Sequence, residues 1–242
     1  MSALFHDRRD SGRRLAAALG RRQLGEAVVV GLARGGVPVA AEVARRLELP
    51  LDVVAVRKIG HPWQPEYALG AVAPGGDGVY LRSHDGLDEA ALGRMVELAK
   101  AKADVLDRRV HARRAPLDLR GKTVVLVDDG LATGATMVAA VRWARGGGAA
   151  RVVVAVPVGA AHSVRFLGAE ADEVVCPHAE EDFRAVGFWY DVFSQVDDGE
   201  VVALLDEARA SPEALATRTL QRSEQRQADS SSADPYDAGK PL

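Results

Sequence analysis

The sequence is poor in several features that mark particular classes of protein. Its 242 residues contain one cysteine, Cys176, so neither an internal disulfide nor a cysteine-based zinc site can form within one chain. No apolar run reaches the ~18 residues that a membrane helix needs, and the charged start of the chain lacks the apolar core of a secretory signal. A net charge of −3 argues against a dedicated nucleic-acid binder. We therefore expect a cytoplasmic globular protein without a membrane or nucleic-acid partner.

Short β-branched runs alternate with helical patterns along most of the chain. The runs lie at Ala27–Leu32, Leu51–Val56, Thr123–Val127, Arg151–Val158 and Glu173–Cys176. The helical patterns between them lie at Val37–Leu47, Leu87–Arg114, Gly134–Arg145 and Ala161–Leu167. Nearly continuous hydrophobicity is typical of strands buried on both faces. The alternation therefore predicts an α/β fold, with a mostly parallel sheet of about five strands flanked by helices.

The remaining segments set the expected domain organisation. One domain is expected over residues 1–210, and the Ser-, Asp- and Gln-rich residues 211–242 are expected to form a disordered tail. The Gly- and Pro-rich segment 57–82 has weak strand signals at Tyr67–Val72 and Val79–Leu81 and predicts a long flexible loop. The basic N-terminal segment predicts a capped amphipathic helix with a solvated face, which carries Arg8, Arg9, Arg13 and Arg14.

The most specific pattern is Val124–Met137, which reads VVLVDDGLATGATM. An apolar strand ends in Asp128 and Asp129, and a Gly/Thr loop then opens a helix. Such a loop offers free backbone N–H groups and the positive end of a helix dipole, which suit a phosphate. Carboxylates accept hydrogen bonds from a vicinal diol or hold a divalent cation. A diol acceptor beside a monophosphate pocket describes a site for ribose 5-phosphate.

Two other structural features share parts of this pattern. Response-regulator receivers also place an acidic pair after a strand, but on their first strand and with a phosphate-binding lysine after a later one. In this chain the pair lies mid-chain, and no lysine occurs between Lys122 and Lys240. In the second alternative the acidic pair only caps a helix. The joint occurrence of strand, acidic pair and Gly/Thr loop favours a ligand site over both.

The same window strongly resembles the phosphoribosyl-diphosphate signature of the type I phosphoribosyltransferases, and the resemblance extends over roughly residues 5–205. Within that family, the sequence most resembles the bacterial group whose members often lack an assigned substrate. The resemblance implies that Asp128 and Asp129 contact the ribose hydroxyls and the metal ion, with Mg²⁺ as the cofactor. It also implies that the 5-phosphate is surrounded by Ala132, Thr133, Gly134, Ala135 and Thr136.

The segment Gly31–Pro38, GLARGGVP, also follows an apolar strand and opens a helix. Gly35 and Gly36 permit close backbone approach to a ligand, and Arg34 offers a charged fork for phosphate oxygens. In the resembling family this loop binds pyrophosphate, so Arg34 is expected to act in catalysis beside the acidic pair. The alternative is a structural turn.

Segment 57–82 occupies the position of the flexible catalytic loop of the resembling family, which closes over the diphosphate. Closure of such a loop excludes water from a reactive centre. The candidate diphosphate contacts are Arg57, Lys58 and His61. The alternative is a solvated loop whose charges are incidental.

Aromatic residues are scarce, at 5 Phe, 3 Trp and 4 Tyr, yet five of them lie in the stretch Phe183–Phe193. In the resembling family this region, here 177–198, is the hood that cradles the nucleobase by stacking. The resemblance also implies that Asp191, four residues after Gly187, contacts the pyrophosphate-bound metal. The base-stacking candidates are Phe183, Phe188, Trp189 and Tyr190. Alternatively, these aromatics anchor the C-terminal segment to the core.

Two departures from the family pattern bear on the acceptor. In the 6-oxopurine enzymes an aspartate precedes the Thr-Gly of the phosphate loop, whereas this chain has Ala132 there, as the adenine and uracil enzymes do. The 6-oxopurine enzymes also carry a lysine on the next strand, and Arg151–Val158 has none. Hypoxanthine and guanine are therefore disfavoured as acceptors.

The expected function is transfer of ribose 5-phosphate from phosphoribosyl diphosphate to a nitrogenous base, with release of pyrophosphate. The alternative is a non-catalytic regulatory protein that binds phosphoribosyl diphosphate or a nucleotide. Hydrolysis or phosphorolysis of a nucleotide at the same site is a third candidate. The acceptor and the oligomeric state stay open, with a homodimer as one arrangement.

Overall fold

A computed structural model of the chain describes residues 3–61, 64–75, 80–81, 88–112 and 115–208. The tail expected over 211–242 lies outside these residues. The main sheet has five strands, all paired in parallel. They are β1 (Ala27–Leu32), β2 (Leu51–Val54), β6 (Thr123–Val127), β7 (Arg151–Ala155) and β9 (Glu173–Val175), in the spatial order β2-β1-β6-β7-β9. The predicted fold class is confirmed.

Helices cover both faces of this sheet. They are α1 (Arg8–Leu19), α2 (Gly36–Leu47), α3 (Glu89–Val110), α4 (Ala135–Gly146) and α5 (Ala161–Leu167), with a further helix over 198–208. Successive residues of a strand point to opposite faces. In β6, Val125 and Val127 join the core beneath α1 and α2, whereas Val124 and Leu126 join the core beneath α4. Burial on both faces explains the continuous apolar runs.

The run predicted as one strand at Arg151–Val158 is divided in the structure. Strand β7 ends at Ala155, and a separate strand, β8 (Val158–Ala160), pairs in parallel with β10 (His178–Glu180). Pro157 lies between β7 and β8 and has no backbone N–H to donate to a ladder. The break redirects the chain from the main sheet to the hood, the segment 177–198.

The segment expected to be a long loop contains strands. Strands β3 (Arg57–His61), β4 (Gln64–Val72) and β5 (Tyr80–Leu81) form an antiparallel sheet in the order β3-β4-β5. Ile59, Leu69 and Val72 pack against Leu92 and Ala99 of α3. The two weak strand signals therefore correspond to β4 and β5, and the proposed flexibility stays a prediction.

The N-terminal segment forms the expected capped helix. The Asp7 carboxylate accepts a hydrogen bond from the backbone N–H of Asp10 at 2.7 Å and caps α1. Before α1 the chain runs beside the hood, where Phe5 donates its N–H to Trp189 O at 2.9 Å and its carbonyl accepts from the Asp191 N–H at 2.9 Å. In the described part of the chain, every helix is too short or too polar to cross a lipid bilayer.

Candidate functional site

The acidic pair follows β6, a strand inside the sheet, at its carboxyl end, where parallel α/β sheets place their ligands. The Asp129 N–H donates to Asp128 Oδ1 at 2.9 Å. Burial raises the pKa of both carboxyls, and the neighbouring Asp129 charge raises that of Asp128 further. Two close carboxylates removed from water favour a nearby cation or hydrogen-bond donors.

The Gly/Thr loop lies beside the pair and is fixed from two sides. The N–H of Leu131 donates to Val158 O at 2.9 Å, and Leu131 O accepts from the Ala160 N–H at 2.8 Å. The Ser163 hydroxyl, which is buried, donates to Ala132 O. Gly134, at φ +80°, begins α4 without a side-chain cap. The helix therefore leaves its first N–H groups available to an anion.

The loop after β1 packs directly on the acidic pair. A Cβ added to Gly36 would lie 2.5 Å from Val127 O, and one added to Gly35 would lie 2.9 Å from Asp129 Cγ. Only residues without a side chain allow this approach. The peptide bond between Ala33 and Arg34 is cis.

These elements enclose a pocket of about 400 Å³. Its lining includes the acidic pair, both glycine-containing loops and four cations, Arg8, Arg34, Arg57 and Lys58. Burial and then the charge of Arg34 lower the pKa of Arg57, while Asp198 opposes them. The pocket thus combines two carboxylates with a cationic wall, and such a wall attracts anionic ligands. Of the candidate contacts in segment 57–82, the His61 side chain lies outside the described residues.

Arg8 is a pocket residue that the sequence did not predict. Its Nε donates to Asp129 Oδ2 at 2.8 Å, and its Nη1 donates to Ser194 O at 2.7 Å. Its Cζ lies 3.9 Å from the centroid of the Phe193 ring. Only 12% of the side chain is exposed, so placing Arg8 on a solvated helix face was wrong. The partners lie so far apart in sequence that no local pattern could have identified them.

The structure separates the aromatic residues of the hood into two groups. Phe193 lines the pocket together with Val186. Phe183 and Trp189 stack on each other, with centroids 6.1 Å apart, and do not line the pocket. The indole Nε1 of Trp189 is buried and has no hydrogen-bond partner among the described residues. The stacking role of Phe183 and Trp189 stays a prediction, and among the described aromatic residues it is Phe193 that lines the pocket.

The remaining hood candidates differ in their surroundings. Tyr190 is buried against Phe5, and its hydroxyl donates to Asp129 O at 2.6 Å, so the hood holds the backbone of the acidic pair. Phe188 is exposed. Asp191 is also exposed, lies 3.8 Å from the His6 ring and does not line the pocket. Its metal-binding role stays a prediction.

Comparisons with known proteins agree with this architecture. The sequence model of the phosphoribosyl transferase domain matches residues 5–192. Two proteins of Mycobacterium tuberculosis that carry the name phosphoribosyl transferase are each 46% identical over 210 residues, which cover 85% of this chain and 47% of theirs. This chain thus spans about half the length of those relatives. The crystal structure of TT1426 from Thermus thermophilus is 45% identical, with a TM-score of 0.71, over 84% of this chain and 98% of that one.

Proposed function

Because the chain belongs to the phosphoribosyl transferase domain family, we propose that it transfers ribose 5-phosphate from phosphoribosyl diphosphate to a nitrogenous base and releases pyrophosphate. The observation that carries the proposal is one pocket that joins the Asp128–Asp129 pair, the 132–136 loop and a cationic wall. A pocket of about 400 Å³ suits a ligand of this size.

The two ends of the substrate would meet different walls. The 5-phosphate would bind the N–H groups of the 132–136 loop and the hydroxyls of Thr133 and Thr136, where no carboxylate lies in the loop itself. The ribose hydroxyls would donate to the carboxylates of Asp128 and Asp129. The diphosphate would then face the wall formed by Arg34, Arg57 and Lys58.

The residues present fit a magnesium ion. Among the described residues no group of three or more His, Cys, Asp or Glu could hold a metal by itself. Magnesium commonly binds through one or two carboxylates together with substrate oxygens and water. The acidic pair is half-buried and faces the pocket, and it supplies such oxygens. When bound, the ion would offset charge on the diphosphate. We also propose that Asp191 contacts the magnesium ion when it is bound to pyrophosphate.

In the transfer step a ring nitrogen of the acceptor forms a bond to the anomeric carbon while that carbon's bond to the diphosphate oxygen breaks. The acceptor ring loses one proton, which passes to the departing pyrophosphate or to water. The electron pair of the broken bond leaves with pyrophosphate. Arg34 and the neighbouring backbone of Gly35 and Gly36 would stabilise the charge that develops on this group. No carboxylate or imidazole besides the acidic pair lines the described part of the pocket. The described part of the pocket therefore supplies no dedicated general base for the acceptor nitrogen.

The acceptor would bind on the hood side of the pocket, near Phe193 and Val186. A planar ring stacks on an aromatic side chain with ~1–3 kcal/mol. Ala132, which replaces the aspartate of the 6-oxopurine enzymes, disfavours hypoxanthine and guanine. The acceptor is therefore proposed to be another nucleobase-like heterocycle.

The proposal is tested by pyrophosphate release in the presence of phosphoribosyl diphosphate, Mg²⁺ and a panel of free bases. Release that depends on one base supports the transferase. Tight binding of phosphoribosyl diphosphate by calorimetry, without release for any base, supports a regulatory binding protein instead. Absence of binding contradicts both.

A further inference from the structure

Three arginines from separate elements converge on Asp198. Arg34 Nη1 lies 3.6 Å from Asp198 Oδ1, and Arg109 Nη1, in the last turn of α3, donates to Asp198 Oδ2 at 2.9 Å. Arg57 of β3 is close enough to feel the charges of both Arg34 and Asp198. Two of the three arginines, Arg34 and Arg57, also line the pocket. Asp198 therefore forms an ion pair with one arginine of the cationic wall, Arg34, and lies near a second, Arg57.

The position of Asp198 is fixed by the helix that it begins. The Asp197 carboxylate accepts a hydrogen bond from the Glu200 N–H at 2.9 Å, as an N-cap does. Val201 and Leu205 of the same helix are fully buried in the core beneath α1 and α2. The negative charge of Asp198 also lies at the positive end of the helix dipole. A rigid helix start thus presents this carboxylate to the arginines.

One oxygen of the carboxylate is left without a hydrogen bond. Asp198 Oδ1 is buried and has no hydrogen-bond partner among the described residues. Its separation of 3.6 Å from Arg34 Nη1 is beyond the range of a hydrogen bond. A small movement of the Arg34 guanidinium would complete this bond. A buried acceptor that lacks a donor favours such a movement.

We propose that Asp198 is a positioning residue that holds Arg34 and Arg57 side by side, facing the diphosphate of phosphoribosyl diphosphate. The inference rests on the proposed function. Two neighbouring guanidinium groups repel each other, and a carboxylate near both offsets part of that repulsion. Arg109 anchors the carboxylate from the far side. Asp198 lies beyond residues 5–192, the segment that the sequence model of the family matches.

A positioning role and a purely electrostatic role have opposite consequences. A carboxylate that acts only through its charge repels an anionic ligand, so its removal strengthens diphosphate binding. A carboxylate that orients the arginines strengthens binding, and its removal weakens it. The sign of the change therefore separates the two roles.

The test compares Asp198→Asn with Asp197→Asn, which removes the same charge one residue away but keeps a capping oxygen. Calorimetry measures the affinity for magnesium pyrophosphate and, separately, for ribose 5-phosphate. We expect Asp198→Asn to weaken pyrophosphate about fivefold, with ribose 5-phosphate changed by less than about twofold. Asp197→Asn should leave both affinities at the parental values.

If Asp198→Asn binds pyrophosphate as tightly as the parent chain or more tightly, the positioning role is wrong and the proposed function still stands. An equal loss of affinity for pyrophosphate and ribose 5-phosphate has the same meaning. Failure of the parent chain to bind pyrophosphate and phosphoribosyl diphosphate overturns the proposed function and this inference with it. If Asp198→Asn does not fold, Arg109→Gln decides the question. That variant removes the anchor without altering the helix start and should show the same selective loss.

Discussion

Arg8 Nε donates a hydrogen bond of 2.8 Å to Asp129 Oδ2, although the two residues are 121 positions apart in the sequence. The bond joins the first helix to the carboxylate that is proposed to hold the ribose. Burial raises the pKa of Asp129, and the Arg8 charge is the largest influence that opposes it. Arg8 therefore helps to keep this carboxyl ionised and ready to accept hydrogen bonds.

Replacement of Arg8 tests that role through the pH dependence of binding. Without the guanidinium, the pKa of the acidic pair should rise further, so protonation should abolish binding at a higher pH. We expect Arg8→Met to shift the acidic limb of ribose 5-phosphate affinity towards higher pH. Arg13→Met, on a more exposed arginine of the same helix, should leave the limb in place. A uniform loss of affinity without a shift would contradict the assignment.

Substitutions in the acidic pair should weaken ligand binding without lowering the stability of the fold. Because burial raises the pKa of Asp128, its ionisation costs folding free energy once the pH exceeds the unfolded value. Asp128→Asn removes that cost and keeps an oxygen for the Asp129 N–H. Its melting temperature at pH 8 should equal or exceed that of the parent chain, and the difference should shrink as the pH falls.

The double variant Asp128→Asn, Asp129→Asn should lose at least about a hundredfold in phosphoribosyl diphosphate affinity, because two charged acceptors are removed. Calorimetry at pH 8 measures this loss. Unaltered affinity would refute the assignment of the pair to the ribose.

The contact between Gly35 and Asp129 predicts a variant with a selective defect. In Gly35→Ala the new Cβ would lie 2.9 Å from Asp129 Cγ and would displace the carboxylate. We expect ribose 5-phosphate affinity to fall about tenfold or more, since displaced groups lose their alignment. Gly93→Ala is the matched control, because nothing lies within 4 Å of its added Cβ. That variant should raise helix stability by about 0.5–1 kcal/mol and leave binding unchanged.

Two aromatic substitutions distinguish stacking on the acceptor from anchoring of the hood. Phe193 lines the pocket, so Phe193→Ala should raise the KM for the acceptor about tenfold or more. Trp189 packs on Phe183, so Trp189→Ala should mainly lower the free energy of unfolding, by about 1–3 kcal/mol. Steady-state kinetics and chemical denaturation measure the two effects. A higher KM for Trp189→Ala together with lower stability for Phe193→Ala would instead indicate that the acceptor stacks on Trp189.

His111 links the last turn of α3 to β2 and should make stability depend on pH. Burial opposes its charge, but hydrogen bonds to Asp107 and Asp52 outweigh that effect and raise its pKa from 6.5 to about 9. The stabilisation is complete below pH 6.5 and is lost as the pH rises through about 9. The loss should be about 3 kcal/mol. Denaturation midpoints between pH 6 and 10 measure it.

His111→Gln should flatten this dependence. His162→Gln, at an exposed histidine of α5, should retain it. A parent chain whose unfolding free energy is constant between pH 6.5 and 9 would disprove the role of His111.

Sequence patterns predict the elements whose signals are local. The bounds of β1 and β6 agree with the predicted runs because both strands are apolar on both faces. Helix α5 agrees as well. The long helix α3 begins later than expected, at Glu89, because Asp88 accepts from the Ala91 N–H and caps it.

Parts of the site depend on contacts between residues that lie far apart in the sequence. Such contacts cannot be predicted from one sequence alone. The acidic pair and its loop were identified because they lie in one window. Arg8 and Asp198 were missed because each meets its partner only after the sheet has formed. The sequence shows Phe193 only as a member of an aromatic cluster. The folded hood is needed to show that Phe193 lines the pocket and that Trp189 does not.

The contacts between residues 5–11 and the hood join parts of the chain that are synthesised at different times. Ser11 and the Tyr190 hydroxyl, which lie 3.1 Å apart, are separated by 179 residues. At about 5–20 residues per second, a ribosome needs roughly 10–35 s to make that interval. Ser11 can therefore form this contact only after the hood has been translated. The contacts between residues 5–11 and the hood therefore form only after the intervening chain has been made.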